Sequence, residues 1–70
     1  MALRWTRLGP RGHSGEYHSD AIDDWRAEID WSTLRNEWRV MFYRNDIARR
    51  VDGAATVAEA KRKAEEWLTR

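Results

Sequence analysis

The 70-residue sequence contains no cysteine, so neither a disulfide nor a cysteine-based zinc site can stabilise it. Its only proline and three of its four glycines lie within residues 9–15, which predicts a loop there and uninterrupted elements elsewhere. No apolar run approaches the ~18 residues that cross a membrane, and the N-terminus has no apolar run typical of a signal peptide. We therefore expect a cytoplasmic protein without membrane contact.

The short length restricts the fold to a single small domain, residues 1–70. Domains of this size bury only about 60% of the surface of the unfolded chain, so their stability is marginal. The five tryptophans can supply much of the missing core. Homodimerisation is a second route to stability for so small a domain. The net charge of +1 does not by itself indicate a polyanionic partner.

An aromatic hairpin within residues 22–44 is the strongest pattern in the chain. Two runs of alternating apolar and polar residues flank a polar turn at residues 32–36, and a period of two places each apolar set on one face of a strand. The predicted core residues are Trp25, Ala27, Ile29, Trp31, Trp38, Val40 and Phe42. The alternate residues lie on the opposite face, where opposite charges on neighbouring strands could pair.

The last element has the pattern of an amphipathic helix. Thr56 and Glu59 have the spacing of a capping box, and Ala60 and Ala64 belong to an apolar stripe that continues to the end of the chain. Residues 16–21 form a weak extended segment that either pairs with the hairpin edge or leads into it. We predict strands at about 3–8, 22–31, 37–44 and 47–51, and a helix at about 57–69. The predicted fold class is α+β, a three- or four-stranded antiparallel sheet with one C-terminal helix packed on one face.

Several short motifs resemble a recurrent layout in small uncharacterised proteins of actinobacteria and their bacteriophages. The matching segments are Trp5, Gly15-Glu16-Tyr17-His18-Ser19, Trp38-Arg39-Val40 and Thr56-Val57-Ala58-Glu59-Ala60-Lys61. The resemblance spans most of the chain. It implies no defined activity, but it suggests a bacteriophage accessory protein that acts on a host protein.

The sheet-plus-helix pattern also resembles the AP2 and integrase amino-terminal DNA-binding domains. In those domains the outer face of a three-stranded sheet contacts the major groove through Arg and Trp, and Trp38-Arg39-Val40 is similar. This resemblance implies DNA binding. However, the first hairpin strand here carries Asp24, Glu28 and Asp30, which would face phosphates.

Residue types that could support catalysis are few and scattered. His13 and His18 lie near Glu16 and Asp20, but no helix is expected to bring them to metal-binding spacing. Ser14 or Ser19 with these histidines would need a rigid scaffold and an oxyanion site to form a hydrolase triad. We expect a non-enzymatic protein with no catalytic residue, no bound metal and no cofactor.

The sheet face that the helix does not cover is the predicted partner-binding site. Three interpretations stay open: residues 1–8 cover it with Trp5 packed on Tyr43 or Met41, a protein or a second copy binds it, or nucleic acid binds it. A protein partner or self-association is the favoured function, with DNA binding as the alternative. The predicted partner-binding residues are Arg26, Arg39, Met41, Tyr43, Arg44, Arg49 and Arg50.

Overall fold

A computed structural model describes residues 3–9, 15–50 and 53–69, with the side chain of Arg50 excluded. It contains five strands and one helix. The strands are β1 (Trp5–Leu8), β2 (Glu16–Ser19), β3 (Arg26–Ser32), β4 (Glu37–Arg44) and β5 (Ile47–Arg50), and the helix is α1 (Val57–Leu68). No helix within the described residues is long and apolar enough to span a membrane.

The five strands form one antiparallel sheet in the order β1-β2-β3-β4-β5. Each strand pairs with its neighbour in sequence, as in a meander. The predicted α+β class is therefore confirmed, and the sheet has five strands where three or four were predicted. The additional strand is β2, whose Tyr17 and His18 pair with Ile29 and Glu28 of β3. Of the two interpretations of residues 16–21, edge pairing is the one that the structure supports.

The first hairpin strand begins at Arg26, four residues after the predicted start at residue 22. Asp23 and Asp24 both have positive φ, at 53° and 69°. The flanking residues Ile22 and Trp25 exchange two backbone hydrogen bonds of 2.9 and 3.0 Å. This is the geometry of a two-residue type I′ turn, which the alternating pattern could not reveal because Asp is less typical there than Asn-Gly. Ile22 therefore belongs to the arm that arrives from β2.

The N-terminal strand extends the edge of the sheet and does not cross its face. Trp5 pairs with Ser19 of β2, and its side chain packs against the core. The predicted contact of Trp5 with Tyr43 or Met41 is therefore wrong. Within the described residues, nothing from β1 lies over the face opposite the helix.

The core lies between α1 and the inner face of β3 and β4. Ala27, Ile29, Val40 and Phe42 are completely buried, as the alternating pattern predicts. Trp67 of α1 stacks on Phe42 with ring centroids 4.0 Å apart. The small residues Ala60 and Ala64 are also buried, so the helix backbone approaches the sheet closely.

The helix begins with the predicted N-cap. The side chain of Thr56 accepts a hydrogen bond of 3.1 Å from the backbone N–H of Glu59. The carboxylate of Glu59 lies 3.4 Å from Lys63 Nζ. The cap still satisfies one of the N–H groups that the first helical turn leaves without a partner.

Ser19 is the one buried polar residue of the described core. Its hydroxyl accepts a hydrogen bond of 2.8 Å from the backbone N–H of Ala27 and donates one of 2.9 Å to the carbonyl of Asp20. The hydroxyl therefore continues the β2–β3 pairing at the point where the chain leaves β2 for the turn.

We predict that Ser19→Ala lowers the free energy of unfolding by about 1–3 kcal/mol, because the buried N–H of Ala27 loses its acceptor. Urea denaturation measures the change. Thr6→Ala, at an exposed position of β1, is the control and should change stability by less than about 0.5 kcal/mol. A loss of similar size in both variants would contradict this role of Ser19.

Candidate functional site

The candidate site is the sheet face opposite α1, called here the open face. Its residues alternate along the strands with the buried ones, so strand geometry directs their side chains away from the helix. From β1 to β4 the open face carries Thr6, Leu8, Glu16, His18, Arg26, Glu28, Asp30, Ser32, Glu37, Arg39, Met41 and Tyr43. Met41 and Tyr43 are its large apolar side chains on β4, and both are half-buried.

The β3–β4 pairing arranges the centre of the open face in three rows. Arg26 lies opposite Tyr43, Glu28 opposite Met41, and Asp30 opposite Arg39. Two of the rows combine a β3 charge with a β4 side chain that can contact it favourably, an aromatic ring or an opposite charge, and the third pairs a carboxylate with a thioether. The centre is therefore a mixed surface and carries no uniform charge.

Asp30 and Arg39 form the best-defined interaction of the open face. Arg39 Nε donates to Asp30 Oδ1 at 2.9 Å, and Arg39 Nη2 donates to Asp30 Oδ2 at 2.6 Å. This two-point geometry matches the planar guanidinium to the carboxylate. The hydrogen bond from Arg39 to Asp30 and the attraction between the charges raise the pKa of Arg39 above its ordinary value. Arg39 therefore stays charged and is already engaged within the chain.

His18 lies between two carboxylates on the β2 side of the open face. Its Nε2 atom is 3.4 Å from Glu28 Oε1 and 3.7 Å from Glu16 Oε2. That atom is buried without a hydrogen-bond partner. In the part of the chain that the structure describes, no three His, Cys, Asp or Glu side chains are arranged to hold a metal ion.

The structure brings together four of the seven predicted partner-binding residues: Arg26, Arg39, Met41 and Tyr43. Arg44 lies on the helix side of the sheet, where its guanidinium carbon is 5.9 Å from the ring centroid of Trp25. Arg49 pairs with the buried Phe42 and so shares the parity of the helix side. Arg44 and Arg49 are therefore separated from the open face by the two-residue period of a strand, although they are close to its residues in sequence.

Arg50 pairs with Met41 in the backbone register of β4 and β5. Its side chain lies outside the described residues, so its contribution to the open face stays a prediction. The charged open-face residues around this centre that the sequence prediction missed are Glu16, His18, Glu28 and Asp30. The alternation within residues 16–19 was the available signal, but only the pairing of β2 with β3 places His18 beside Glu28.

Comparison with known proteins identifies no relative of this chain. No protein-family model, no curated protein sequence and no solved structure matches it significantly. The open face itself is therefore the feature that indicates a function.

We predict that Asp30 and Arg39 are coupled by about 0.5–1 kcal/mol, the upper part of the range for solvent-accessible ion pairs. Their side chains are only 29% and 42% exposed, and their contact is bidentate. Unfolding free energies of Asp30→Ala, Arg39→Ala and the double variant give this coupling directly.

The helical pair of Arg62 and Glu66 is the matched control. It is also an ion pair, at 2.8 Å, but both side chains are more than 60% exposed. Its coupling should not exceed about 0.5 kcal/mol. Equal coupling in the two pairs would show that the open face does not strengthen the Asp30–Arg39 interaction.

Proposed function

We propose that this protein is a non-enzymatic protein-binding module and that the open face is its binding surface. The observation that carries the proposal is the position of Met41 and Tyr43. Both are large, half-buried side chains near the middle of a sheet face that no described element covers. A cluster of this kind within a polar surround is typical of the centre of a protein interface.

The chemistry of the surrounding charges supports the same function. Both lysines of the sequence lie in α1, so the cations around Met41 and Tyr43 are arginines. Arginine is enriched and lysine is depleted at protein interfaces, because the planar guanidinium can stack on rings and bind carboxylates at two points. Arg26 faces Tyr43 across the β3–β4 pairing.

DNA binding is the second candidate, and the charges of the open face disfavour it. Glu16, Glu28 and Asp30 would lie against the phosphates, and the guanidinium of Arg39 is already bound to Asp30. Arg44 and Arg49 lie on the other side of the sheet and would not join the same contact. A DNA-binding face needs cations that are available to phosphate.

The arrangement around His18 supports a non-enzymatic role. The charged groups nearest to Nε2 are Glu16 and Glu28, and this atom makes no hydrogen bond with any described residue. A hydrolytic site would place a hydroxyl or thiol nucleophile there.

The resemblance to actinobacterial and bacteriophage proteins suggests that a host protein is one source of the partner.

The proposal is tested with a double variant, Met41→Ala/Tyr43→Ala. We expect its affinity for a second copy or for another protein to fall at least about tenfold, since buried interface anchors contribute more than about 1.4 kcal/mol. Self-association is measured by sedimentation, and other partners by capture from a nuclease-treated actinobacterial lysate with quantitative mass spectrometry.

The matched control removes two apolar side chains elsewhere, in Leu34→Ala/Ile47→Ala. These side chains are 93% and 55% exposed and lie outside the open face. The control should keep every partner that the wild type binds. If the two double variants retain the same proteins and the same mass, the open face is not the binding surface. If duplex DNA binds at ~50 mM salt, weakens steeply with added salt and depends on Arg26, DNA binding replaces protein binding as the function.

A further inference from the structure

We propose that the partner of the open face is a second copy of this chain. The two copies pack face to face about a two-fold axis that runs between β3 and β4, parallel to both strands. The inference rests on the proposed function, because it identifies the occupant of the same face. It predicts a symmetric dimer with α1 of each copy on the outside.

The β3–β4 register is the first support. Such an axis places each β3 residue of one copy over the residue that it faces on β4 in the other copy. Asp30 then meets the partner's Arg39, and Arg26 meets the partner's Tyr43, as the pairs Asp30–Arg39 and Arg26–Tyr43 do within one chain. The outer two of the three central rows are therefore complementary to their own two-fold image, as an isologous interface requires, and the middle row places Glu28 over Met41 of the other copy.

Electrostatics is the second support. The two charges of the Asp30 row lie on different strands, with Asp30 on β3 and Arg39 on β4. The two-fold rotation exchanges β3 with β4, so Asp30 of each copy lies over Arg39 of the other. In the Asp30 row this gives a four-membered cluster with two charges of each sign. A uniformly acidic or basic face would repel its own copy.

The preformed ion pair reduces the cost of burying these charges. Burial of an unpaired charge costs several kcal/mol, whereas a charge that keeps its hydrogen-bonded partner avoids most of that loss. Asp30 and Arg39 already satisfy each other at 2.6 and 2.9 Å before a second copy arrives. The apolar contribution then comes from Met41 and Tyr43, which lie in the other two central rows.

The dimensions of the face fit a small dimer. Five strands about 4.8 Å apart, with central strands about 25 Å long, give a flat area of roughly 500 Å², before the relief of the side chains is included. A standard interface buries roughly 800 Å² of each partner. Two copies of this face would therefore bury about 1,000 Å² in total, which is below the standard range and typical of weak complexes, so we expect the dimer to exchange with monomer.

The decisive experiment exchanges the charges between two populations of the protein. Asp30→Arg gives one copy arginine at positions 30 and 39, and Arg39→Asp gives another copy aspartate at both positions. Each variant alone should dimerise at least about 100-fold more weakly than the wild type, because like charges meet across the axis. An equimolar mixture should form a heterodimer within about tenfold of the wild-type affinity.

The control makes the same exchange on the helix. Arg62→Glu and Glu66→Arg alter an ion pair on the exposed side of α1 and should leave self-association unchanged, alone or mixed. Sedimentation measures the mass of every sample, and circular dichroism establishes that each variant is folded. If the open-face variants do not fold, dilution of ¹⁵N-labelled wild-type protein replaces them. The amide chemical shifts that change on dilution should then belong to residues of β3 and β4 and not to residues of α1.

Three results would overturn the inference. The wild type could stay monomeric up to about 1 mM, which corresponds to less than about 4.1 kcal/mol of binding. The mixture of charge variants could stay as weak as its components, or the dilution shifts could map to α1. If capture of another protein still depends on Met41 and Tyr43, the proposed function stands and only the second copy is rejected as the partner. If no binding depends on these residues, both proposals fail.

Discussion

The pairing of β3 with β4 is the constraint on which the rest of the structure depends. Its register fixes two surfaces at once, since residues that alternate along a strand point to opposite faces. Ile29 and Val40 pair across the buried face, while Asp30 and Arg39 pair across the open one. A shift of one residue in either strand would exchange these faces and expose the core. The same register therefore determines both stability and the candidate binding surface.

The single helix leaves one side of this sheet without a layer. α1 has 12 residues and packs over β3 and β4, where its buried alanines allow close approach. The described part of β1 extends the edge of the sheet and provides no second layer. The open face carries interactions within the chain, including the Asp30–Arg39 ion pair and the contacts of His18 with carboxylates. These contacts orient the charges while Met41 and Tyr43 stay available to a partner.

Much of the fold and part of the candidate site could be predicted from alternation and capping. The α+β class, the buried hairpin residues and the N-cap at Thr56 follow from local patterns. The turn at Asp23 and Asp24 could not be predicted in this way, because both residues adopt positive φ only in response to pairing of the flanking arms. Arg44 and Arg49 were assigned to the site by nearness in sequence, and the parity of their strands places them on the opposite side of the sheet.

The sequence by itself determined most of the buried hairpin residues, such as Ile29, Val40 and Phe42, because hydrophobic periodicity reports the local geometry of a strand directly. It also determined that arginine and not lysine surrounds Met41 and Tyr43, since that is a matter of composition. Only the tertiary structure decided which polar residues meet. His18 and Glu28 are ten positions apart, and their contact exists because β2 pairs with β3 in one register. That register follows from the turn at Asp23 and Asp24 and from burial of one face of the sheet, and both depend on how the strands pair.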